Sequence, residues 1–174
     1  MTKIPEIIAA DWINTPKPLS LAELRGKIVV IEAFQMLCPG CVMHGLPLAQ
    51  NIQSTFPKDR VQVLGLHSVF EHHSAMEKHA LEAFAHEYRL TFPIAIDQPI
   101  EPGPVPATMR AWQLRGTPSM LIIGPDGDLV AHYFGQISEL IVGAQIGALL
   151  DGAGRSSDHA EADSEACTQD GCNV

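Results

Sequence analysis

From residue 27 onward the apolar positions of this chain alternate between two periods. Ile28-Val29-Val30-Ile31-Glu32-Ala33-Phe34 is a short, β-branched run that predicts a strand at about 27–34. Helical spacing follows from Pro39 to about Phe56, then a second strand run, Val61-Gln62-Val63-Leu64-Gly65-Leu66-His67, then helical spacing again at about 73–90. In that last segment Met76, Ala80, Phe84 and Tyr88 mark an apolar face. A short strand around Phe92-Pro93-Ile94-Ala95-Ile96, a helix near 106–114, two strands split by Asp126-Gly127-Asp128 and a helix at about 137–150 complete the pattern. Strands separated by helix-length segments need crossovers, which gives a mostly parallel sheet. The glycine-containing turn after Ile123 reads instead as a hairpin, so the prediction is an α/β fold, a central mixed sheet with helices on both faces.

Two stretches fall outside that alternation. Gln98-Pro99-Ile100-Glu101-Pro102-Gly103-Pro104-Val105-Pro106 carries four prolines, which cannot donate to a ladder and predict a stiff surface loop. After Leu150 the chain turns to Asp, Gly, Ala and Ser without periodicity. Residues 1–150 therefore read as one domain and 151–174 as a flexible acidic tail carrying a second cysteine pair, Cys167 and Cys172. A chain of 174 residues with 46% apolar content can bury one good core. More than half of the net charge of −9 sits in the tail, where Asp151, Asp158, Glu161, Asp163, Glu165 and Asp170 face Arg155 alone. An acidic surface without basic clusters argues against nucleic acid and anionic membranes as partners. Ile7-Ile8-Ala9-Ala10 is too brief for a signal-peptide core, and the expected location is cytoplasmic.

Chemistry concentrates at Cys38-Pro39-Gly40-Cys41, directly after the first strand. A strand that delivers Cys38 to a helix start places its sulfur near unpaired backbone N–H groups, and Pro39 fits the first helical turn. Such a setting lowers a cysteine pKa from ~8.5 into the range ~3.5–7.5, so Cys38 is the expected nucleophile. Cys41, one turn on, is within reach to close an internal disulfide. The same spacing is half of a zinc site, whose other half would have to come from Cys167 and Cys172, five positions apart in the tail. Histidines 67, 72, 73, 79 and 86 also invite a metal. Placed on one helix, however, His72, His79 and His86 would stand about 10.5 Å apart at ~1.5 Å per residue, too far to share an ion, and a solvated stripe is expected. No cofactor or metal is assigned. Glu32, alone among apolar neighbours, is either paired, protonated or functional if buried, or else faces solvent.

The CPGC motif after a strand, together with Gly116-Thr117-Pro118-Ser119 ahead of Met120-Leu121-Ile122-Ile123, resembles the thioredoxin-fold redoxins. The similarity is to thiol-disulfide oxidoreductases of the TlpA and ResA type, related to the AhpC/TSA peroxiredoxins, and spans about Leu19 to Leu150. The resemblance implies a thioredoxin fold, a cis proline at Pro118 facing the cysteines, and the 73–90 helix as the insertion of the TlpA-like branch. It implies thiol-disulfide exchange in which Cys38 attacks, Cys41 resolves and Glu32 carries the proton to and from Cys41. Thr117, Pro118, Pro39 and Gly40 would border the substrate. Partners would be protein or small-molecule disulfides and thiols, with a thioredoxin-reductase-type electron donor.

Departures from the family pattern bear on the partner surface. Leu37 stands where a tryptophan is usual, with Met36 beside it as a greasy lip, and Pro47 comes one residue later in the helix than usual, where it should still kink it. A thiol peroxidase using Cys38 is the alternative enzyme; Gln35 in place of the peroxiredoxin threonine argues against it, whereas Arg115 could supply a peroxide-polarising arginine. A non-catalytic metal- or protein-binding module is the third reading. Cys167 and Cys172 are candidate accessory redox residues, because the 17 residues from Leu150 to Cys167 span about 20–25 Å as a flexible chain.

Overall fold

The computed structural model describes residues 3–161, with side chains as far as residue 152. Its strands are β1 (Ala9–Ile13), β2 (Ile28–Phe34), β3 (Val61–His67), β4 (Ile94–Asp97), β5 (Ser119–Ile123) and β6 (Leu129–Phe134). Its α-helices are α1 (Leu46–Thr55), α2 (Lys78–Glu87), α3 (Ala107–Ala111) and α4 (Glu139–Glu161). The strands make one six-stranded sheet in the order β1-β4-β3-β2-β5-β6. β2, β3 and β4 run parallel; β1, β5 and β6 pair antiparallel with their neighbours, the last two as the predicted hairpin.

β2 occupies the centre, hydrogen-bonded to β3 on one side and β5 on the other, and all seven of its residues are buried. A strand covered on both faces must be apolar throughout, which explains its unbroken β-branched run. Alternation divides it: Ile28, Val30 and Phe34 face Leu48, Ala49 and Ile52 of α1, Leu81 and Ala85 of α2, and Val142 and Ile146 of α4. Val29, Ile31 and Ala33 face the opposite layer, built from Met109, Trp112, Leu114, Leu21 and Leu24. Glu32 shares the parity of Val30 and Phe34, so it enters the layer beneath α1.

Several expectations shift. β1 was not predicted: Ala9-Ala10-Asp11-Trp12-Ile13 lies on the sheet edge, half-exposed, and shows no apolar alternation. The helix expected from 73 starts at Lys78, because His72 takes a left-handed φ of 51° and only a 3₁₀ turn spans His73–Ala75. Its buried positions are Leu81 and Ala85, while Tyr88 is exposed. α4 continues past Leu150 to Glu161. Cys167 and Cys172, with the accessory redox role expected of them, lie outside the described residues. Among the described residues no helix is long and apolar enough to cross a membrane.

Candidate active site

β2 ends at Phe34, and the chain turns once, with Cys38 N–H donating to the Gln35 carbonyl at 3.2 Å, before Pro39 starts a helix. Cys38 and Cys41 form a disulfide with their Cα atoms 5.3 Å apart. The two sulfurs differ in setting: Cys41 is fully buried, whereas Cys38 is partly exposed between Leu37 and Pro39, both exposed. Cys38 Sγ accepts a hydrogen bond from Cys41 N–H at 3.2 Å and lies 3.6 Å from the Thr117 carbonyl oxygen. A backbone donor aimed at this sulfur favours its anion once the disulfide opens.

The helix that carries the pair is not regular. Cys41–Gly45 form a π-turn in which Leu46 N–H donates to the Cys41 carbonyl, and Pro47, lacking an N–H, sits in the first turn of α1. The place where a kink is expected, Pro47, follows directly on one wide turn, a shape that takes up an extra residue in the helix.

Glu32 lies under that turn. The carboxyl is 1% exposed and its Oε1 has no hydrogen-bond partner, so the solvent-facing alternative is corrected: the parity of β2 turns this residue inward. Burial, with no compensating contact, disfavours its charged form and pushes its pKa well above the usual carboxylate value. Gly45 is required here, because a Cβ at that position would overlap Glu32 Oε1 and stand 3.1 Å from Pro118 Cβ. Pro118, after a cis Thr117-Pro118 bond, also closes on Gly40, where a Cβ would meet Pro118 Cδ at 3.2 Å. The fold therefore gathers Cys38, Pro39, Gly40, Cys41, Thr117, Pro118 and Glu32 around one helix start.

Other predicted residues end up elsewhere. Met36 is buried in the core, so of the expected apolar lip Leu37 alone, 57% exposed, reaches the surface; Met43, on the turn that follows Cys41, is 68% exposed. Exposed Phe134, whose ring abuts Gly116, adds a third apolar group next to the Thr117-Pro118 turn. His67 is not part of a solvated stripe. It is buried at the end of β3 with its ring 5.3 Å from that of Phe34, Nε2 unpartnered, and desolvation lowers its pKa to about 4. His72 is off the helix, and among the described residues no three His, Cys, Asp or Glu side chains are placed to hold a metal ion.

The sequence profile of the AhpC/TSA family matches residues 2–132. The chain belongs to the AhpC/TSA family. Its fold is the thioredoxin fold: a crystal structure of a thioredoxin-like superfamily protein is 59% identical and superimposes with a TM-score of 0.84 over 86% of this chain and 97% of that one. A thiol-disulfide isomerase from Corynebacterium glutamicum is 45% identical, with a TM-score of 0.81 over 84% of this chain and 95% of that one. Human NHL repeat-containing protein 2 is 28% identical over 132 residues, 72% of this chain and 16% of the relative. The chain thus spans about a sixth of the length of the curated relatives it matches. The Cys38–Cys41 disulfide thus stands in a fold similar to that of thiol-disulfide oxidoreductases.

Two residues bear on peroxide chemistry within that family. Gln35 is buried and its Oε1 accepts the Phe70 N–H at 3.2 Å, tying the end of β2 to the loop after β3. The Arg115 guanidinium carbon stands 4.9 Å from the centre of the Phe134 ring. Sequence reasoning missed three residues around the site: His44 and Gln136, which line a small cavity beside Glu32, and Asp97, a second buried carboxylate farther along the sheet. His44 carried one signal, its spacing of three from Cys41 on the same helix.

Proposed function

We propose that this protein exchanges thiols and disulfides through Cys38 and Cys41, with Cys38 as the attacking or attacked sulfur. The observation that carries the reading is the asymmetry of the pair. One sulfur reaches solvent and receives a backbone N–H, while the other is enclosed next to the layer that holds the buried Glu32. In reduction of a substrate, the Cys38 thiolate attacks a substrate sulfur, forming a Cys38–substrate disulfide and releasing the other substrate sulfur as thiolate. Cys41 then gives its proton to Glu32 in its carboxylate form and attacks Cys38, closing the internal disulfide and expelling the second substrate thiolate. Reversal of these steps oxidises a dithiol. Thr117 and Pro118, beside Cys38, border the extended backbone of the substrate, and Leu37, Met43 and Phe134 supply apolar contact.

The 45% identity to a thiol-disulfide isomerase supports this class. The peroxidase alternative is disfavoured by Gln35, whose amide oxygen is committed to Phe70, and by Arg115, held against Phe134. Operation in the cytoplasm, recharged by a thioredoxin-reductase-type donor, is part of the same proposal. The test pairs Cys38→Ser with Cys41→Ser on a disulfide substrate. Cys38→Ser should abolish reduction, and Cys41→Ser should accumulate the Cys38–substrate disulfide, visible by mass spectrometry. Trapping in the Cys38→Ser protein instead would reverse the roles, and peroxide consumption orders of magnitude faster than disulfide exchange would transfer the assignment to peroxidase.

A further inference from the structure

Glu32 has two sides. One faces the helix that carries the cysteines; the other borders a cavity of about 10 Å³ lined by His44, Gly45, Leu48, Met120, Gly135, Gln136 and Ile137, of which His44 and Gln136 alone bear polar side chains. That volume is about the size of a single water molecule. Glu32 Oε1 is sealed from solvent and makes no hydrogen bond to protein, whereas Gln136 is exposed and His44 half-exposed. A buried carboxyl that takes up and gives back a proton in each cycle needs a route to bulk solvent that does not pass through the sulfurs, since both are occupied in bond exchange.

We propose that Glu32 passes its proton to solvent through this cavity, with His44 as the outer station. The inference rests on the exchange reading above. The balance is one proton and no electrons: the Glu32 carboxylic acid gives its proton to a cavity water, that water gives one to a neutral ring nitrogen of His44, and the imidazolium releases it to bulk. The reverse sequence reloads Glu32 when Cys41 must leave as a thiol. Imidazole fits this place because one ring nitrogen can accept a proton while the other releases one, which the Gln136 amide and the apolar lining side chains cannot do. On the sheet face toward Glu32, β3 contributes Gly65 opposite it and His67 two residues on, β5 contributes Met120, and β6 contributes Tyr133, whose hydroxyl donates to Gln145. The helix contributes Cys41 and His44.

His44 acts through Glu32 and is therefore a positioning residue, tested by chemical rescue. Resolution of the Cys38–substrate disulfide is followed by stopped flow at pH 7 in dilute, bulky buffer, in wild type, His44→Ala and Glu32→Gln. Expected is a slowing of about tenfold in His44→Ala, smaller than the ~10²–10⁴ a proton-transfer group itself supplies, with attack by Cys38 unchanged. Added imidazole should restore the His44→Ala rate and leave wild type and Glu32→Gln unmoved. Resolution at the wild-type rate in His44→Ala, or a slowing that imidazole does not relieve, overturns the outlet while leaving the role of Glu32 standing. A wild-type rate in Glu32→Gln overturns both, and loss of Cys38 attack in every protein indicts the exchange reading itself.

Discussion

Two carboxylates are buried in the same sheet, and their surroundings are opposite. Asp97, at the end of β4, accepts hydrogen bonds from Thr108 N–H at 2.7 Å, Ser68 hydroxyl at 2.8 Å and Met109 N–H at 2.9 Å. It thereby satisfies free N–H groups at the start of α3 and fastens the loop after β3 to it. Glu32, on β2, has an oxygen with no partner at all. Burial pushes both pKa values up, but at Asp97 the hydrogen bonds from Thr108, Ser68 and Met109 pull back, and at Glu32 nothing does. Burial of an acid is thus not in itself a sign of chemistry. What marks a buried carboxyl as a candidate for chemistry is whether its lone pairs are left uncommitted.

The sharpest way to break this contrast is to truncate both. Asp97→Ala leaves two buried N–H groups and a hydroxyl unsatisfied, each costing about 1–3 kcal/mol, so urea unfolding should show a loss of at least about 3 kcal/mol with near-normal exchange by the folded fraction. Should Asp97→Ala remain stable yet lose activity, the division of labour is wrong. Glu32→Gln should do the reverse: resolution by Cys41 slows by about 10²-fold while stability holds or rises, because a costly buried acid is gone. A stability loss of the Asp97 size in Glu32→Gln would make Glu32 structural as well.

The pH profiles of stability sharpen it further. His67 has a folded pKa of about 4 against an ordinary value near 6.5, so the unfolded chain binds the extra proton between those values. Stability should fall as pH drops from about 6.5 to about 4, by on the order of 3 kcal/mol, and His67→Leu should flatten that limb in chemical denaturation. Glu32 has the opposite sign: with its folded pKa raised, its contribution is complete below the unfolded carboxylate value and is lost as pH climbs through the folded one. The smallest expected effect is a shallower alkaline decline in Glu32→Gln; superimposable curves would mean that Glu32 does not titrate on folding.

Local pattern made much of this legible in the chain. β2, β3 and the β5-β6 hairpin follow from β-branched runs and one glycine turn, and the cysteines follow from their position after β2. What escaped depends on contacts distant in sequence. β1 is a strand because β4 offers it an edge, not because its own residues alternate. Asp97 looks like a turn residue before a proline-rich loop, and only the fold brings it to the N–H groups of residues 108 and 109. Glu32 stood out as anomalous, but alternation alone could not say which layer it entered. His44 acquires its neighbour across the sheet–helix gap, which no spacing within one helix reveals.

The central place of β2 has a dynamic consequence. Its backbone is bonded on both sides, so its amide protons exchange with solvent only when the whole sheet parts, at a free energy close to that of global unfolding. β1 is held by β4 alone and opens in a local fluctuation at far lower energy. The edge of this protein can fray and re-form many times while Glu32, and the strand that aims Cys38, stay in register.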